Sequence, residues 1–178
     1  IDGFARRAAA IKVGYGLDEG SEMGPLINAR RLKAIENIVD DARQKGARVV
    51  TGGQRIADKP GFYFAPTVLA DVPDDALALA EENFGPIAAI TTFTDEADVI
   101  ARVNRSELAL SAYAFTRDAA RIRRVSQQLQ AGMVGINSFA LASADVPFGG
   151  IKASGMGSEG GAEGIFEYMN VKLTQVVL

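Results

Sequence analysis

The sequence predicts an α/β protein: a three-layer α/β/α sandwich around a mostly parallel sheet, with a carboxy-terminal extension strand. Three observations predict it. From Ile87 onward, short apolar runs alternate with amphipathic helical stretches, the pattern of crossovers that lay helices on both faces of a sheet. The 178 residues are 48% apolar and 23% charged, the balance and length of a globular domain with a core of its own. The chain ends in Val171–Leu178, an extended run that is apolar on both faces.

The elements follow in order. Phe4, Ala8 and Ile11 repeat at spacings of four and three, which predicts an amphipathic helix from Asp2 to about Val13. A loop rich in Gly follows. Asn28 stands as the N-cap of a second helix carrying Leu32, Ile35, Val39 and Ala42 on one face, and Gly46 stands at its C′ position. Arg48–Thr51 reads as a short strand closed by Gly52-Gly53. Phe62–Leu69 reads as extended, with Pro66 arguing against a central place in the sheet. Ile87–Phe93, Ala112–Phe115 and Met133–Ile136 read as strands. Helices fill the gaps, at Asp95–Asn104 capped by Thr94 and after Asp118 with Ile122, Val125 and Leu129 inward. Ser138–Gly164 is loop-like, and Ala162–Tyr168 is a short helical segment. Seven of the sixteen residues from Gly149 to Gly164 are Gly, which marks this loop as the one low-complexity stretch.

Composition excludes several kinds of chemistry. With 19 basic and 22 acidic residues the net charge is −3, without the electrostatic footprint of a general nucleic-acid binder. There is no Cys and no His, hence no disulfide, no thiolate nucleophile and no ordinary zinc site. No run approaches the ~18–20 apolar residues of a membrane span. Nothing at the amino end resembles a signal peptide, and a cytoplasmic location is expected. The chain opens on Ile1 and almost at once in helical patterning, as a piece of a longer polypeptide would.

Two clusters stand out. Glu81-Glu82-Asn83-Phe84-Gly85-Pro86 joins an acidic pair, a ring and a tight turn just before a buried strand. It reads either as a helix end with Phe84 in the core, or as a ligand loop in which a carboxylate binds ribose hydroxyls and a ring fixes a nicotinamide face. Pro147–Gly155 holds the pair Gly149-Gly150 between Phe148 and Ile151, apolar anchors that a solvated linker lacks. Gly155–Gly160 spells G-x-G-x-x-G, but no strand precedes it and only 18 residues follow, so the dinucleotide fold has no room. Lys152 closes no P-loop pattern.

At these clusters the chain resembles the carboxy-terminal part of an aldehyde dehydrogenase, closest to the succinate-semialdehyde branch. The family's G-P-L-I is matched by Gly24–Ile27, its F-x-P-T-V by Phe64–Val68, and its E-E-x-F-G-P by Glu81–Pro86. Its G-x-V-x-I-N strand end resembles Gly132–Asn137, and its P-F-G-G-x-K-x-S-G-x-G is matched by Pro147–Gly157. The motifs come in family order and cover almost the whole chain. Ser158 departs from the pattern, standing where the family usually has Arg.

The resemblance implies oxidation of an aldehyde, in this branch a semialdehyde, to a carboxylic acid with NAD or NADP. In that family a cysteine attacks the aldehyde, and its segment lies upstream of Ile1, so this chain alone is expected to be inactive. Glu82 then corresponds to the acid that binds the nicotinamide ribose and Phe84 to the ring beside the nicotinamide. Phe148, Ser143 and Phe139 correspond to the substrate tunnel, and Asn137 to a structural residue. Residues 1–145 are implied as an incomplete catalytic-domain portion, and 146–178 as a Gly-rich loop and oligomerisation strand of a homodimer or homotetramer. The alternative is a stand-alone assembly or regulatory module that joins partners through its apolar terminal strand.

Overall fold

Strands consecutive in the chain that pair across a helix run parallel here, and the pair joined by a loop alone runs antiparallel. The computed structural model describes residues 1–178, which form two compact units, Ile1–Thr92 and Phe93–Leu178. The first holds α1 (Asp2–Ala9), α2 (Ala29–Gln44), β1 (Arg48–Thr51), β2 (Thr67–Ala70), α3 (Leu77–Ala80) and β3 (Ile87–Ala89). Its sheet has the order β1-β2-β3. Strand β1 reaches β2 through a loop without a helix and pairs with it antiparallel, Arg48 facing Ala70 and Val49 facing Leu69, with a bulge before Thr51. Strand β2 reaches β3 through α3 and pairs with it parallel, Thr67 opposite Ile87 and Leu69 opposite Ala89.

Every residue of β2 is buried, because a helix covers each face of the sheet. Leu69 joins Leu32, Ile35, Val39 and Ala42 of α2, together with Phe64 and Val72. Val68, pointing the opposite way in the pleat, meets Ala5 and Ala8 of α1. Burial of each of Ile35, Val39, Leu69 and Phe64 contributes about 1.5–3 kcal/mol. The start of α2 follows from its cap: Asn28 is extended, and its Oδ1 accepts from the Arg31 N–H at 2.9 Å. Its end follows from Gly46 at φ +97°, a left-handed position with the Gly46 N–H donating to Arg43 O.

The second unit holds α4 (Glu96–Asn104), β4 (Leu108–Ala109), β5 (Ser111–Ala114), α5 (Ala119–Gln128), β6 (Met133–Ile136), β7 (Ile151–Lys152) and a 3₁₀ helix (Glu163–Tyr168). Strands β5 and β6, joined through α5, are parallel in unbroken register from Ser111–Met133 to Ala114–Ile136. Strands β4 and β7 are antiparallel. Asp118 caps α5 as its sequence position predicts, its Oδ1 accepting from the Ala120 and Arg121 N–H groups. Val125 is buried under α5, with Ile122 and Leu129 half-buried beside it.

Several expectations give way to tertiary context. The class is α/β, but the strands form three small sheets, and two of the four ladders are antiparallel. Pro66 does not exclude its strand from the centre of a sheet. It stands just outside the ladder, so its missing N–H is never needed, and the first donor required is the Thr67 N–H, which bonds Pro86 O at 2.8 Å. Helix α1 stops at Ala9 rather than near Val13, because Val13 bridges to Met23 and the Lys12 N–H donates to the Glu22 carboxylate. The cap of α4 is Asp95, not Thr94, accepting from the Asp98 N–H. The expected extension strand Val171–Leu178 makes no ladder: no strand of the chain lies beside it, and an extended segment is a strand only when its N–H and C=O groups are paired.

Candidate functional site

The loop after α3 is anchored at three points and presents its ring at none of them. The Asn83 Nδ2 donates to Ala78 O at 3.1 Å, tying the loop back to α3. The Arg31 Nη1, reaching from α2, donates to Asn83 O at 3.2 Å. Gly85 lies so close to α2 that a Cβ there would stand 2.8 Å from the Cγ1 of the fully buried Ile35. Between these anchors Phe84 has φ +41°, in the left-handed region, at a cost of order 1–3 kcal/mol. Its ring is 68% exposed, with the Arg31 guanidinium carbon 5.8 Å from its centroid. The hexad does begin at the end of α3, with Glu81 as its C-cap, but Phe84 is not packed in the core of these residues. Glu82, two residues earlier on the same loop, is exposed as well.

The second cluster lies in the other unit. Phe148 is half-buried, and its backbone is fixed on both sides: its N–H donates to Glu159 O at 2.7 Å, and its carbonyl accepts from the Glu159 N–H at 2.8 Å. Gly149 is pressed against the turn before β6, where a Cβ on Gly132 would stand 2.9 Å from both Gly149 C and Gly150 Cα. Ser154 Oγ accepts from the Ala109 N–H at 2.8 Å. Lys152, left-handed at φ +55°, donates through Nζ to Asn104 O at 2.7 Å and Ser106 O at 2.9 Å, satisfying carbonyls at the end of α4. The loop is packed and held at both ends.

Ser143 and Phe148 line one shallow depression with Ala142, Ala144, Glu159 and Gly160, so the structure brings these two residues together. The Ser143 hydroxyl donates to the Asp145 carboxylate, which lies below its ordinary range, chiefly through that bond. Phe139 does not line this depression. It is 73% exposed and stacks tilted against Tyr113 at 5.2 Å and Phe115 at 5.1 Å. Asn137 holds the loop after β6, the structural role that the family resemblance implies. Left-handed at φ +56°, it accepts from the Thr116 N–H and donates to Thr116 O, both at 2.8 Å, locking the loops after β5 and β6 together.

Elsewhere the charges serve architecture. Arg124 and Arg121 beside Glu96 hold its carboxyl down at about 2, joining α4 to α5. Asp41 is lowered by the Leu77 N–H that it caps at 2.8 Å. No group of three or more Asp or Glu residues is placed to hold a metal ion. No helix is long and apolar enough to cross a membrane. Sequence reasoning missed Arg31 and Asn83. The signal for Arg31 was present, since a cation in the first turn of a helix opposes the preference set by the helix dipole.

The chain as a whole is similar to known semialdehyde and aldehyde dehydrogenases. The succinate-semialdehyde dehydrogenase of Paenarthrobacter nicotinovorans is 48% identical over 165 residues, covering 93% of this chain and 36% of that protein. The glutarate-semialdehyde dehydrogenase of Pseudomonas putida is 45% identical over 96% of this chain and 36% of its own length. Among solved structures, an NADP-dependent enzyme of E. coli superposes with a TM-score of 0.90 at 45% identity, over 94% of this chain and 34% of that one. An NAD⁺ complex of an aldehyde dehydrogenase from Bacillus cereus superposes at 0.91 and 36% identity, over 96% of this chain and 35% of its own. The chain thus spans about a third of the length of the relatives it matches. Residues 1–174 match the aldehyde dehydrogenase family, and the chain belongs to that family.

Proposed function

We propose that this chain is the carboxy-terminal part of the catalytic machinery of an NAD(P)-dependent aldehyde dehydrogenase that oxidises a semialdehyde to a dicarboxylic acid. The observation that carries the reading is Phe84, a large aromatic held in a strained backbone conformation with its ring outside the core, two residues from an exposed carboxylate. Backbone strain of this kind clusters at ligand sites. Unlike Asn137 and Lys152, whose side chains satisfy backbone groups, Phe84 has a side chain that cannot hydrogen-bond, which supports a ligand wall. Both residues fit the nicotinamide half of NAD(P): Glu82 would accept hydrogen bonds from the ribose hydroxyls, and Phe84 would close one face of the ring. When bound, that group accepts the hydride leaving the aldehyde carbon. Semialdehyde dehydrogenases among the relatives support the substrate class.

In the second unit, Phe148, Ser143 and Phe139 would form the wall met by the aldehyde. The Ser143 hydroxyl, on an exposed loop, offers a donor to a substrate carboxylate if it turns from Asp145. The chain contains no Cys, so the thiolate nucleophile must come from outside these residues, and the chain alone should oxidise no aldehyde. We assign residues 1–145 to the catalytic domain and 146–178 to a Gly-rich loop and oligomerisation segment. Val171, Leu173 and Val177 of that segment are almost wholly exposed, which supports cover by a neighbouring subunit in a homodimer or homotetramer of the cytoplasm.

The test is Glu82→Gln in the full-length enzyme. Hydride transfer in a single turnover should slow, while acylation of the thiol by an activated ester proceeds unchanged. Unaltered hydride transfer would remove Glu82 from the cofactor site.

A further inference from the structure

Arg31 occupies a place that helix energetics alone would not give it. It is the third residue of α2, where the positive end of the helix dipole favours an anion, and the first turn contains no acidic residue. Its side chain is half-buried and runs outward to the Glu81–Pro86 loop. There one planar group makes two contacts. Nη1 donates to the carbonyl of Asn83 at 3.2 Å, and the guanidinium carbon lies 5.8 Å from the centroid of the Phe84 ring.

We propose that Arg31 is the positioning residue of Phe84. The carbonyl that it grips belongs to the peptide joining residues 83 and 84, and the ring that it faces hangs from the Cα on the other side of that peptide. The torsion between the two is φ of Phe84, the strained one at +41°. A single guanidinium therefore holds both ends of the rotation that aims the ring. The other anchors do not: the Asn83 amide acts before the torsion, and the packing of Gly85 against Ile35 acts after the ring has branched off. Lysine could supply the charge over the ring but not a rigid fork that also fixes the carbonyl. The consequence for hydride transfer rests on the reading of Phe84 as a nicotinamide wall; the positioning role does not.

The two parts separate experimentally. With 4-fluorophenylalanine placed at position 84 of the chain, the ¹⁹F resonance should sit away from that of the free amino acid. Arg31→Met should move it toward the free value and narrow it, Arg31→Lys should restore part of the shift, and Arg30→Met, an exposed neighbour, should leave it in place. A folded Arg31→Met protein with an unmoved resonance overturns the positioning role whatever the kinetics. In the full-length enzyme Arg31→Met should slow single-turnover hydride transfer by roughly fivefold, with thiol acylation unaffected and Arg31→Lys in between. A moved resonance with unchanged hydride transfer would leave Arg31 positioning the ring and remove the ring from the cofactor.

Discussion

Gly132→Ala should strain the contact that sets the Phe148 loop against the turn before β6. A Cβ at residue 132 would fall 2.9 Å from Gly149 C and from Gly150 Cα, closer still to the Gly149 carbonyl oxygen, and all three are backbone atoms. No side chain can swing aside. Either β6 shifts at its first residue, where the Met133 N–H bonds Leu110 O, or the Gly149 segment moves away and loosens the Phe148–Glu159 bridge. Forcing extra volume into a packed site costs typically 1–3 kcal/mol, and about 2 kcal/mol in a chain of this size lowers Tm by roughly 4–8 °C. Gly16→Ala is the control. Its Cβ would meet no atom within 4 Å, and its φ lies outside the left-handed region, so it should be neutral or slightly stabilising. Thermal melting followed by circular dichroism reads both. If Gly132→Ala melts together with Gly16→Ala, the two loops do not touch and the placement of Phe148 falls with them.

Thr67→Val should cost about 1–3 kcal/mol in urea denaturation, because the buried Gly53 N–H loses its acceptor at 2.8 Å, and Thr67→Ser should recover most of the loss. Asn137→Ala should destabilise by about 2 kcal/mol, losing both Thr116 bonds in a left-handed residue, whereas Asn137→Asp should keep the bond from the Thr116 N–H. Glu96 is lowered from 4.5 to about 2, so its stabilising contribution is full above 4.5 and fades as pH falls toward 2. Glu96→Gln should therefore melt below the parent at pH 7 and together with it near pH 2. Removal of Val171–Leu178 from the full-length enzyme should lower its mass in light scattering without unfolding the subunit, and an unchanged mass would refute the association role.

What was legible in the sequence was local. Asn28 and Asp118 cap their helices because an Asx side chain reaches an N–H two or three residues on, an interaction decided within one turn. Met133–Ile136 is a strand as expected, since apolar residues bounded by turn signals sufficed. The misses were set at long range. Pro66 argued against a central strand because its neighbour's partner, Pro86, is twenty residues away. The end of α1 depended on Met23, and the strand expected at Val171–Leu178 lacks any pairing partner within the chain. Phe84 illustrates the limit for the site itself. Its two readings differ in where the ring lies, and the ring's neighbour there is Arg31, more than fifty residues earlier.

The Gly-rich carboxy-terminal run changes meaning once its neighbours are known. In sequence, the Gly content of Gly149–Gly164 alone would suit a flexible connector, and only Phe148 and Ile151 argue for a packed loop. In the structure five of its seven glycines, Gly155 and Gly164 being the exceptions, are points of close approach to neighbouring atoms. Gly149 meets the turn at Gly132, Gly150 meets Ser154, and a Cβ on Gly157 would stand 2.8 Å from the Glu167 carboxylate. Where backbone packs this closely, as at Gly132 and Gly149, the chain has little freedom to move. The half-buried side chain of Phe148, bridged on both sides to Glu159, therefore inherits the rigidity of the loop. The Glu81–Pro86 loop is built on the same plan, with Gly85 wedged on Ile35 and Phe84 displayed beside it. In both clusters closely packed glycine fixes the backbone beside an aromatic residue, which is the arrangement the proposed wall roles of Phe84 and Phe148 require. The aromatic neighbours, rather than the glycines, are where substitutions should alter recognition more than stability.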